Sequence, residues 1–176
     1  MTKKEPISFK ETDYPFLEDL SQKIEDILKT KSRVIVVVTG KSGCGKSTFG
    51  KFVRKKGFKQ FSARNIAVID DGVMTKDFLY GLIRYKVKIP SDKQDDLAPF
   101  LKLLPKRKRI VFYINIFPNK RVTYCDILIM LTCDETVRAL RLKKRVSHEE
   151  KFQSMLKKEP KIGSMKFVYK ILGHTK

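Results

Sequence analysis

The chain has 176 residues, 41% of them hydrophobic and 33% charged, which suits one globular domain with a buried core. Its 39 Lys and Arg against 19 Asp and Glu give a net charge of +20, which favours anionic partners such as nucleotides or nucleic acid, although a generally basic proteome would give the same excess. The three cysteines lack C-x-x-C spacing, which argues against a disulfide framework and a zinc site. The sequence shows no apolar leader and no apolar run of bilayer length, which argues against secretion and a membrane span. A cytoplasmic location is therefore expected.

The first predicted elements are a polar arm and an amphipathic helix. Residues 1 to about 12 are polar and predict an arm with little regular structure. Between residues 14 and 28 apolar side chains recur at helical spacing, which predicts a helix that covers core. We therefore expect residues 1–32 to form an N-terminal arm and helix, followed by the main domain in residues 33–176.

A glycine-rich loop follows the first predicted strand. Residues 34–38 are all apolar, as in a buried strand, and lead into the sequence GKSGCGKST. Gly40, four residues and then Gly45-Lys46-Ser47 match the G-x-x-x-x-G-K-[ST] pattern of a P-loop between a strand and a helix. Glycine lets the backbone approach a phosphate closely, so that successive N–H groups can point at its oxygens. The alternative is that these residues only turn the chain.

The loop pattern assigns roles to particular residues. Lys46 would bridge the β- and γ-phosphates of ATP, and the Ser47 hydroxyl would bind Mg²⁺. The predicted cofactor-binding residues of the loop are Gly40, Ser42, Gly43, Cys44, Gly45, Lys46, Ser47 and Thr48.

Two adjacent acids lie at the end of the second predicted strand, residues 65–70. Asp70 and Asp71 would lie at the carboxyl end of this strand, the same edge as the P-loop. A carboxylate there can orient and deprotonate an acceptor hydroxyl, or hold Mg²⁺ through water. Asp71 has the alternative of capping a helix that begins near Gly72, so Asp70 is the better catalytic candidate.

The rest of the chain alternates between helical and strand patterns. Residues 77–89 predict a helix that Pro90 ends, and residues 91–94 predict a capping box for another helix that ends near residue 104. Apolar runs at 109–117 and 126–132 predict strands that are buried on both faces. The remaining predictions are helices at 134–145 and 148–158, the second with a capping box at 147–150, and a last strand at 166–172. This alternation indicates a doubly wound parallel sheet.

Basic residues stand out in three places. Arg138, Arg141 and Arg145 share one face of the helix at 134–145, from which they could stabilise the charge of a phosphoryl group in transfer. The alternative is a solvated basic face, which suits Lys143 and Lys144 better. The runs at 54–56 and 106–109 lack interleaved aromatic residues, so solvated surface is the simpler interpretation and a nucleic-acid patch the alternative.

With these residues in view, the chain resembles P-loop small-molecule kinases, and most of all dephospho-coenzyme A kinase. VVVTGKSGCGKSTFGKFVRKKGF is similar to that family's opening strand, P-loop and helix, and VIDDGV to its acidic segment. CDILIMLTCDETVRALRLKKR is similar to its Cys-Asp-led strand and lid helix, with Arg141 and Arg145 on arginine positions and Arg138 where glutamine is usual. FVYKILG matches its closing strand. The likeness covers most of residues 33–173, but YINIFPN has Asn115 and no acid where the family's third strand has aspartate.

The resemblance implies an α/β, three-layer P-loop kinase-like fold, with a five-stranded, mostly parallel sheet, helices on both faces and a lid helix near 134–145. It implies transfer of the ATP γ-phosphoryl, with Mg²⁺, to a hydroxyl of a small anionic acceptor, either phosphate-bearing or nucleotide-like. The expected catalytic residues are Lys46, Asp70, Asp71, Arg141 and Arg145, while Arg138 would contact ATP, and Ser47 with Asp70 would bind the metal.

Two other functions remain open. A polynucleotide 5′-hydroxyl kinase would explain the charge of +20 better, and a non-catalytic nucleotide-binding module would explain the missing third-strand acid.

Overall fold

The computed structural model describes residues 10–70, 75–78, 83–86 and 97–175, with the backbone alone for 75–78, 83–86, 99 and 100. Short 3-10 turns occupy Glu11–Asp13, Ala63–Asn65 and Pro118–Lys120. The helices and strands of the described residues are, in chain order, α1 Leu17–Leu28, β1 Val34–Gly40, α2 Lys46–Lys56, β2 Ile66–Asp70, β3 Thr75–Phe78, β4 Ile83–Lys86, α3 Ala98–Leu103, β5 Ile110–Ile114, β6 Tyr124–Thr132, α4 Glu135–Arg145, α5 Glu149–Lys157 and β7 Lys166–His174.

Five of the strands form one parallel sheet in the order β2-β5-β1-β6-β7. The central strand β1 pairs on both sides, so that Val36 lies opposite Phe112 of β5 and Ile127 of β6. These β-strand side chains are fully buried, which explains why the sequence shows apolar runs instead of alternation. The predicted five-stranded α/β fold with helices is confirmed.

Helices cover the two faces of the sheet. The apolar stripe of α1 and the phenylalanines of α2 pack on one face, in a core that also contains Val36 and Ile129. The segment that begins α3 covers the other face, where Leu97 and Leu101 pack with Tyr113 and Leu128. Burial of each large apolar side chain stabilises the fold by about 1.5 to 3 kcal/mol. None of the helices in the part of the chain that the structure describes is long and apolar enough to cross a bilayer.

The predicted boundaries are corrected at several points. The arm includes a 3-10 turn at Glu11–Asp13, and α1 begins at Leu17, three residues after the predicted start. The strand predicted at 109–117 ends at Ile114. The N-cap of α5 is His148, which makes no side-chain capping hydrogen bond, so the capping box predicted at 147–150 does not form as expected. The box predicted at 91–94 lies outside the described residues.

The helix predicted at 77–89 is wrong. The backbone there forms two antiparallel strands, β3 and β4, with Thr75 opposite Lys86 and Phe78 opposite Ile83. The sequence contains a strand signal that the helical interpretation overlooked, because apolar and basic residues alternate strictly in IRYKVKI at 83–89. Gly81 also interrupts the segment, and glycine is unfavourable inside a helix.

A buried carboxylate fixes the amino edge of the sheet. Asp126, at 2% exposure, accepts hydrogen bonds from the Ile35 N–H (2.8 Å), from Lys31 Nζ (2.5 Å) and from the Tyr124 hydroxyl (3.0 Å). The hydrogen bonds that the Lys31 ammonium donates to Asp126 and Tyr124 raise the pKa of Lys31 to about 12. One carboxylate therefore joins the start of β1 to the start of β6.

Replacing Asp126 with alanine is expected to lower the free energy of unfolding by about 3 kcal/mol, because a buried main-chain N–H and a partly buried ammonium lose their acceptor. The measurement is urea denaturation at neutral pH. Asp26→Ala is the control, since Asp26 forms a surface ion pair with Lys29 at 2.7 Å and its removal should leave the free energy of unfolding almost unchanged. Equal losses in the two variants would contradict a structural role for Asp126.

Candidate functional site

The P-loop lies at the point where the sheet changes direction. Gly40 ends β1, and α2 begins at Lys46. The chain passes from β1 to β2 and β5 on one side of β1, and only then to β6 and β7 on the other. In open α/β sheets, such a switch point at the carboxyl ends of the strands leaves a crevice in which ligands bind.

The close approach of two strands explains the first glycine of the loop. Gly40 has φ +139°, and a Cβ atom there would lie 2.2 Å from the Leu131 carbonyl oxygen of β6. No other residue fits this position without moving the backbone. Gly45 takes the N-cap of α2 with φ +81° and ψ 7°, the left-handed conformation, so the loop enters the helix by a turn that disfavours side chains.

The amino end of α2 supplies donors for an anion. The first helical hydrogen bond joins the Phe49 N–H to the Gly45 carbonyl at 2.8 Å. The main-chain N–H groups of Lys46, Ser47 and Thr48 have no acceptor inside the helix, and the helix dipole adds partial positive charge. Ser47 and Thr48 are partly exposed in this first turn. The arrangement fits a phosphate group.

Lys46 folds back over the loop. Its ammonium donates to the carbonyl oxygens of Gly40 at 2.6 Å and of Lys41 at 2.7 Å. The pKa of Lys46 is lowered to about 8, chiefly by burial and also by the positive charge of Arg145, while the negative charge of Asp70 acts in the opposite direction. The site therefore holds a partly desolvated cation, which binds an anion more strongly than an exposed lysine does.

Asp70 lies on the α2 side of the sheet. A Cβ atom on Gly50 of α2 would come within 3.1 Å of Val68 and 2.3 Å of Ile114, so α2 packs directly over β2 and β5. Asp70 ends β2 two residues after Val68, and alternate residues of a strand project to the same face. Its effect on the pKa of Lys46 agrees with this position. Asp71 lies outside the described residues.

Arg138 supports the loop from behind. Its side chain is 4% exposed and donates from Nη1 to the Ser42 carbonyl (3.2 Å), from Nη2 to the Leu156 carbonyl of α5 (3.2 Å) and from Nε to Glu135 (2.7 Å). A Cβ atom on Gly43 would lie 2.9 Å from Arg138 Cγ. In this conformation the guanidinium is occupied by protein groups, so it contributes to a nucleotide site by shaping the loop.

Two further arginines of α4 lie beside the loop. Arg141 is half-buried, and its Nη1 is 3.5 Å from both the Gly43 carbonyl and the Thr175 hydroxyl. Arg145 is exposed, and its charge reaches Lys46. Lys143 and Lys144 are exposed on the same helix. The structure thus brings Arg141 to the P-loop and places the charge of Arg145 within electrostatic reach of Lys46.

Sequence reasoning missed two residues that anchor the loop. Lys41 forms ion pairs with Glu159 at 2.9 Å and with Glu135 at 3.5 Å. The Thr175 hydroxyl, just beyond β7, donates to the Cys44 carbonyl at 3.1 Å. The rule that ligands gather at strand ends could have indicated Thr175, but no pattern pointed to the partners of Lys41.

Cys44, a predicted cofactor-binding residue, and Asn115, which stands where the resembling family has an acid, both have structural roles. The side chain of Cys44 is 2% exposed within the core, so only its main chain is available to a phosphate. Asn115 follows β5, where the resembling family has an acid. Its Nδ2 donates to the Tyr113 hydroxyl at 2.6 Å, and its Oδ1 accepts from the Phe117 N–H at 2.9 Å. These contacts give Asn115 a structural role in the turn after β5.

Comparison with known proteins agrees with this geometry. The profile of the AAA domain family matches residues 36–161, which is more than half of the chain and includes the P-loop, Asp70 and α4. The chain belongs to the AAA domain family. This AAA domain is thus a P-loop nucleotide-binding protein of a kinase-like family. No curated protein and no solved structure gives a match.

The low pKa of Lys46 predicts that ATP binding depends on pH. Phosphate favours the ammonium form of Lys46. The pKa of Lys46 should therefore be higher in the ATP complex than in the free AAA domain, where it is about 8. Affinity should be constant below pH 8 and fall above it, by up to about tenfold per pH unit, with proton uptake on binding. Calorimetry at pH 7.5 to 9.5 in buffers with different ionisation enthalpies measures both effects.

The matched variant for this measurement is Lys46→Arg, whose guanidinium stays charged throughout the range. Any binding that it retains should not weaken between pH 8 and 9.5. A wild-type affinity that is equally independent of pH would show that Lys46 does not titrate in the free protein.

Arg138→Ala is expected to lower the free energy of unfolding by about 3 kcal/mol without nucleotide, because a buried cation is removed and the Ser42 and Leu156 carbonyls lose a donor. Thermal and urea unfolding measure this change. Lys144→Ala, at an exposed position of the same helix, should change stability by less than about 0.5 kcal/mol. Unchanged stability combined with lost ATP affinity would instead assign Arg138 directly to the nucleotide.

Proposed function

We propose that the protein is an ATP- and Mg²⁺-dependent kinase that transfers the γ-phosphoryl of ATP to a hydroxyl of a small phosphate-bearing or nucleotide-like acceptor. The observation that carries the proposal is the position of Lys46. Its ammonium is held by the Gly40 and Lys41 carbonyls at the amino end of α2, within electrostatic reach of Asp70 and Arg145.

The P-loop would hold the phosphates of ATP. The first-turn N–H groups of α2 bind phosphate oxygens, and Lys46 neutralises negative charge between the β and γ positions. Because Arg138, Lys41 and Thr175 already hold the loop through its carbonyls and flanking ion pairs, little ordering is required when ATP binds. Positioning and charge neutralisation are the main requirements of phosphoryl transfer.

The residues present fit a magnesium ion. The Ser47 hydroxyl lies in the first turn of α2, and the Asp70 carboxylate lies at the end of the strand that α2 covers. Hydroxyl and carboxylate oxygens are suitable ligands, directly or through water. When bound, Mg²⁺ would neutralise charge on the β- and γ-phosphate oxygens.

Asp70 would also act on the acceptor. A carboxylate at this edge can accept the proton of the acceptor hydroxyl as the oxygen approaches phosphorus. Asp71 is the neighbouring candidate for the same role. Arg141 and Arg145 would stabilise the charge that spreads over the phosphoryl oxygens, as guanidinium groups do through paired donors.

The substrate class rests on the resemblance to dephospho-coenzyme A kinase together with the positive charge of α4. The AAA domain match supports a kinase-like protein at the level of the family. Asn115, which replaces the third-strand acid and is engaged in a turn, favours an acceptor other than dephospho-coenzyme A.

The decisive experiment screens ATP consumption against dephospho-coenzyme A, nucleosides, nucleotides and 5′-hydroxyl oligonucleotides. Turnover with a small anionic acceptor supports the proposal, and turnover only with oligonucleotides indicates a polynucleotide kinase. ATP binding without turnover on any acceptor indicates a non-catalytic nucleotide-binding module. Lys46→Ala is the control and should abolish transfer, since it removes the cation of the loop.

Asp70→Asn is expected to preserve ATP affinity and to lower kcat by roughly 10²- to 10⁴-fold, because the amide cannot accept the hydroxyl proton. Steady-state kinetics with the accepted substrate, together with calorimetric ATP binding, separate the two effects. Asp71→Asn is the comparison. If Asp71→Asn loses activity and Asp70→Asn does not, the roles of the two acids are reversed.

A further inference from the structure

Two basic stretches that the nucleotide site does not use meet at the amino edge of the sheet. We propose that they bind the phosphate backbone of a nucleic acid. The surface, here called the amino-edge patch, consists of the exposed residues Arg54, Lys55, Lys56, Arg64, Lys106 and Arg107. It lies roughly 20 Å from the P-loop, one strand length away, and so adds a second binding surface to the protein.

The fold brings distant residues together in this patch. α2 runs from the carboxyl edge of the sheet to the amino edge, so residues 54–56 form its last turn beside the strand starts. A tight turn, closed by hydrogen bonds between Phe58 and Phe61 at 2.8 and 3.1 Å, leads to the 3-10 turn that contains Arg64. Residues 106 and 107 lie three to four residues before β5, whose Ile110 lies opposite Ile66 of β2.

Neighbouring cations maintain this edge through main-chain contacts. Lys108 Nζ donates to the Ile66 carbonyl at 2.7 Å and to the Ala63 carbonyl at 3.4 Å, which joins the two halves of the patch. Arg33 donates to the carbonyls of Leu101 at 2.6 Å and Lys108 at 2.9 Å. The fold thus uses Lys108 and Arg33 to bind main chain, while the patch residues are exposed to solvent.

Among the residues that the structure describes, the patch carries charge of one sign. Neither the segment 27–69 nor the segment 97–125 contains an Asp or Glu. The acids that approach from α1 contact residues at the border: Glu18 pairs with Lys59 at 2.6 Å, and Glu25 accepts from Gln60 at 2.5 Å. A surface of this kind attracts a polyanion through the release of its counterions.

The side chains around the patch favour a nucleic acid over a membrane. Amphipathic binding to a membrane surface buries exposed apolar residues beside the basic ones, whereas Leu103 is the single large exposed hydrophobic among the described side chains of residues 54–69 and 97–109. Phe58 and Phe61 pack against each other with ring centroids 5.3 Å apart, so they provide no stacking platform for bases. Binding should therefore involve phosphates and be independent of sequence.

The test compares two variants that each lose five positive charges. The patch variant is R54Q/K55Q/R64Q/K106Q/R107Q, and the control is K151Q/K157Q/K158Q/K166Q/K170Q, at exposed positions of α5, β7 and the residue after α5. The probe is a fluorescein-labelled duplex DNA of about 20 base pairs, measured by fluorescence anisotropy without ATP from about 50 to 200 mM KCl. Its length covers about two helical turns.

The wild type and the control should bind in the range of about 10⁻⁶ to 10⁻⁴ M, as phosphate-directed binding does. The patch variant should bind at least about tenfold more weakly at low salt. Its plot of log K against log salt should be shallower by about 0.9 for each phosphate that the variant no longer neutralises. The measurement requires no kinase activity, so the proposed function can fail while this proposal holds.

Three results would overturn the proposal: no binding of duplex by the wild type, equal weakening in both variants, or patch-dependent binding of phosphatidylserine-containing vesicles with no effect on DNA. Circular dichroism and urea unfolding check that both variants fold. If the patch variant does not fold, the double variants R54Q/K55Q and K106Q/R107Q replace it in the measurement. Each should weaken DNA binding, while the control K157Q/K158Q should not.

Discussion

The contact between β1 and β6 at Gly40 is the constraint on which the nucleotide site depends. The Leu131 carbonyl lies where a side chain of residue 40 would begin, so the chain leaves β1 by a path that only glycine permits. That path directs the loop to the amino end of α2, and α2 in turn can lie flat on β2 and β5 because Gly50 has no side chain. Lys46 and Asp70 come together as a consequence.

Protein groups hold the loop mainly through its carbonyls. Ser42 is bound by Arg138, Cys44 by Thr175, and both Gly40 and Lys41 by Lys46. Main-chain N–H groups at the start of α2 remain available in the helix geometry for an anion. A loop whose acceptors are satisfied by cations and hydroxyls presents a positive inner surface, which is the requirement for binding phosphate groups.

Helix α4, which the sequence predicts as a lid, also supports the P-loop together with α5. Through Arg138, α4 joins the P-loop to the end of α5, and Lys41 adds ion pairs to Glu135 and Glu159. The amino half of α4 is therefore tied to the P-loop, whereas Arg145, at the carboxyl end of the helix, is exposed and its charge lowers the pKa of Lys46.

The sequence by itself determined the features that follow from local chemistry. The apolar runs of β1, β5 and β6, the glycine spacing of the P-loop and the helical periodicity of α1 and α4 each have a direct physical cause, so the parallel α/β fold and the loop could be predicted. Where two periodicities overlapped, as at 77–89, the prediction failed because phenylalanine, tyrosine and isoleucine suit strands as well as helices.

Contacts between distant residues were decided only by the tertiary structure. In the sequence, Arg138 is one of several arginines on a basic helix face. In the structure it is buried and donates hydrogen bonds to the Ser42 and Leu156 carbonyls, so it supports the loop. The same holds for Thr175 on Cys44, since a hydroxyl acquires a partner across the sheet only when the strands have paired.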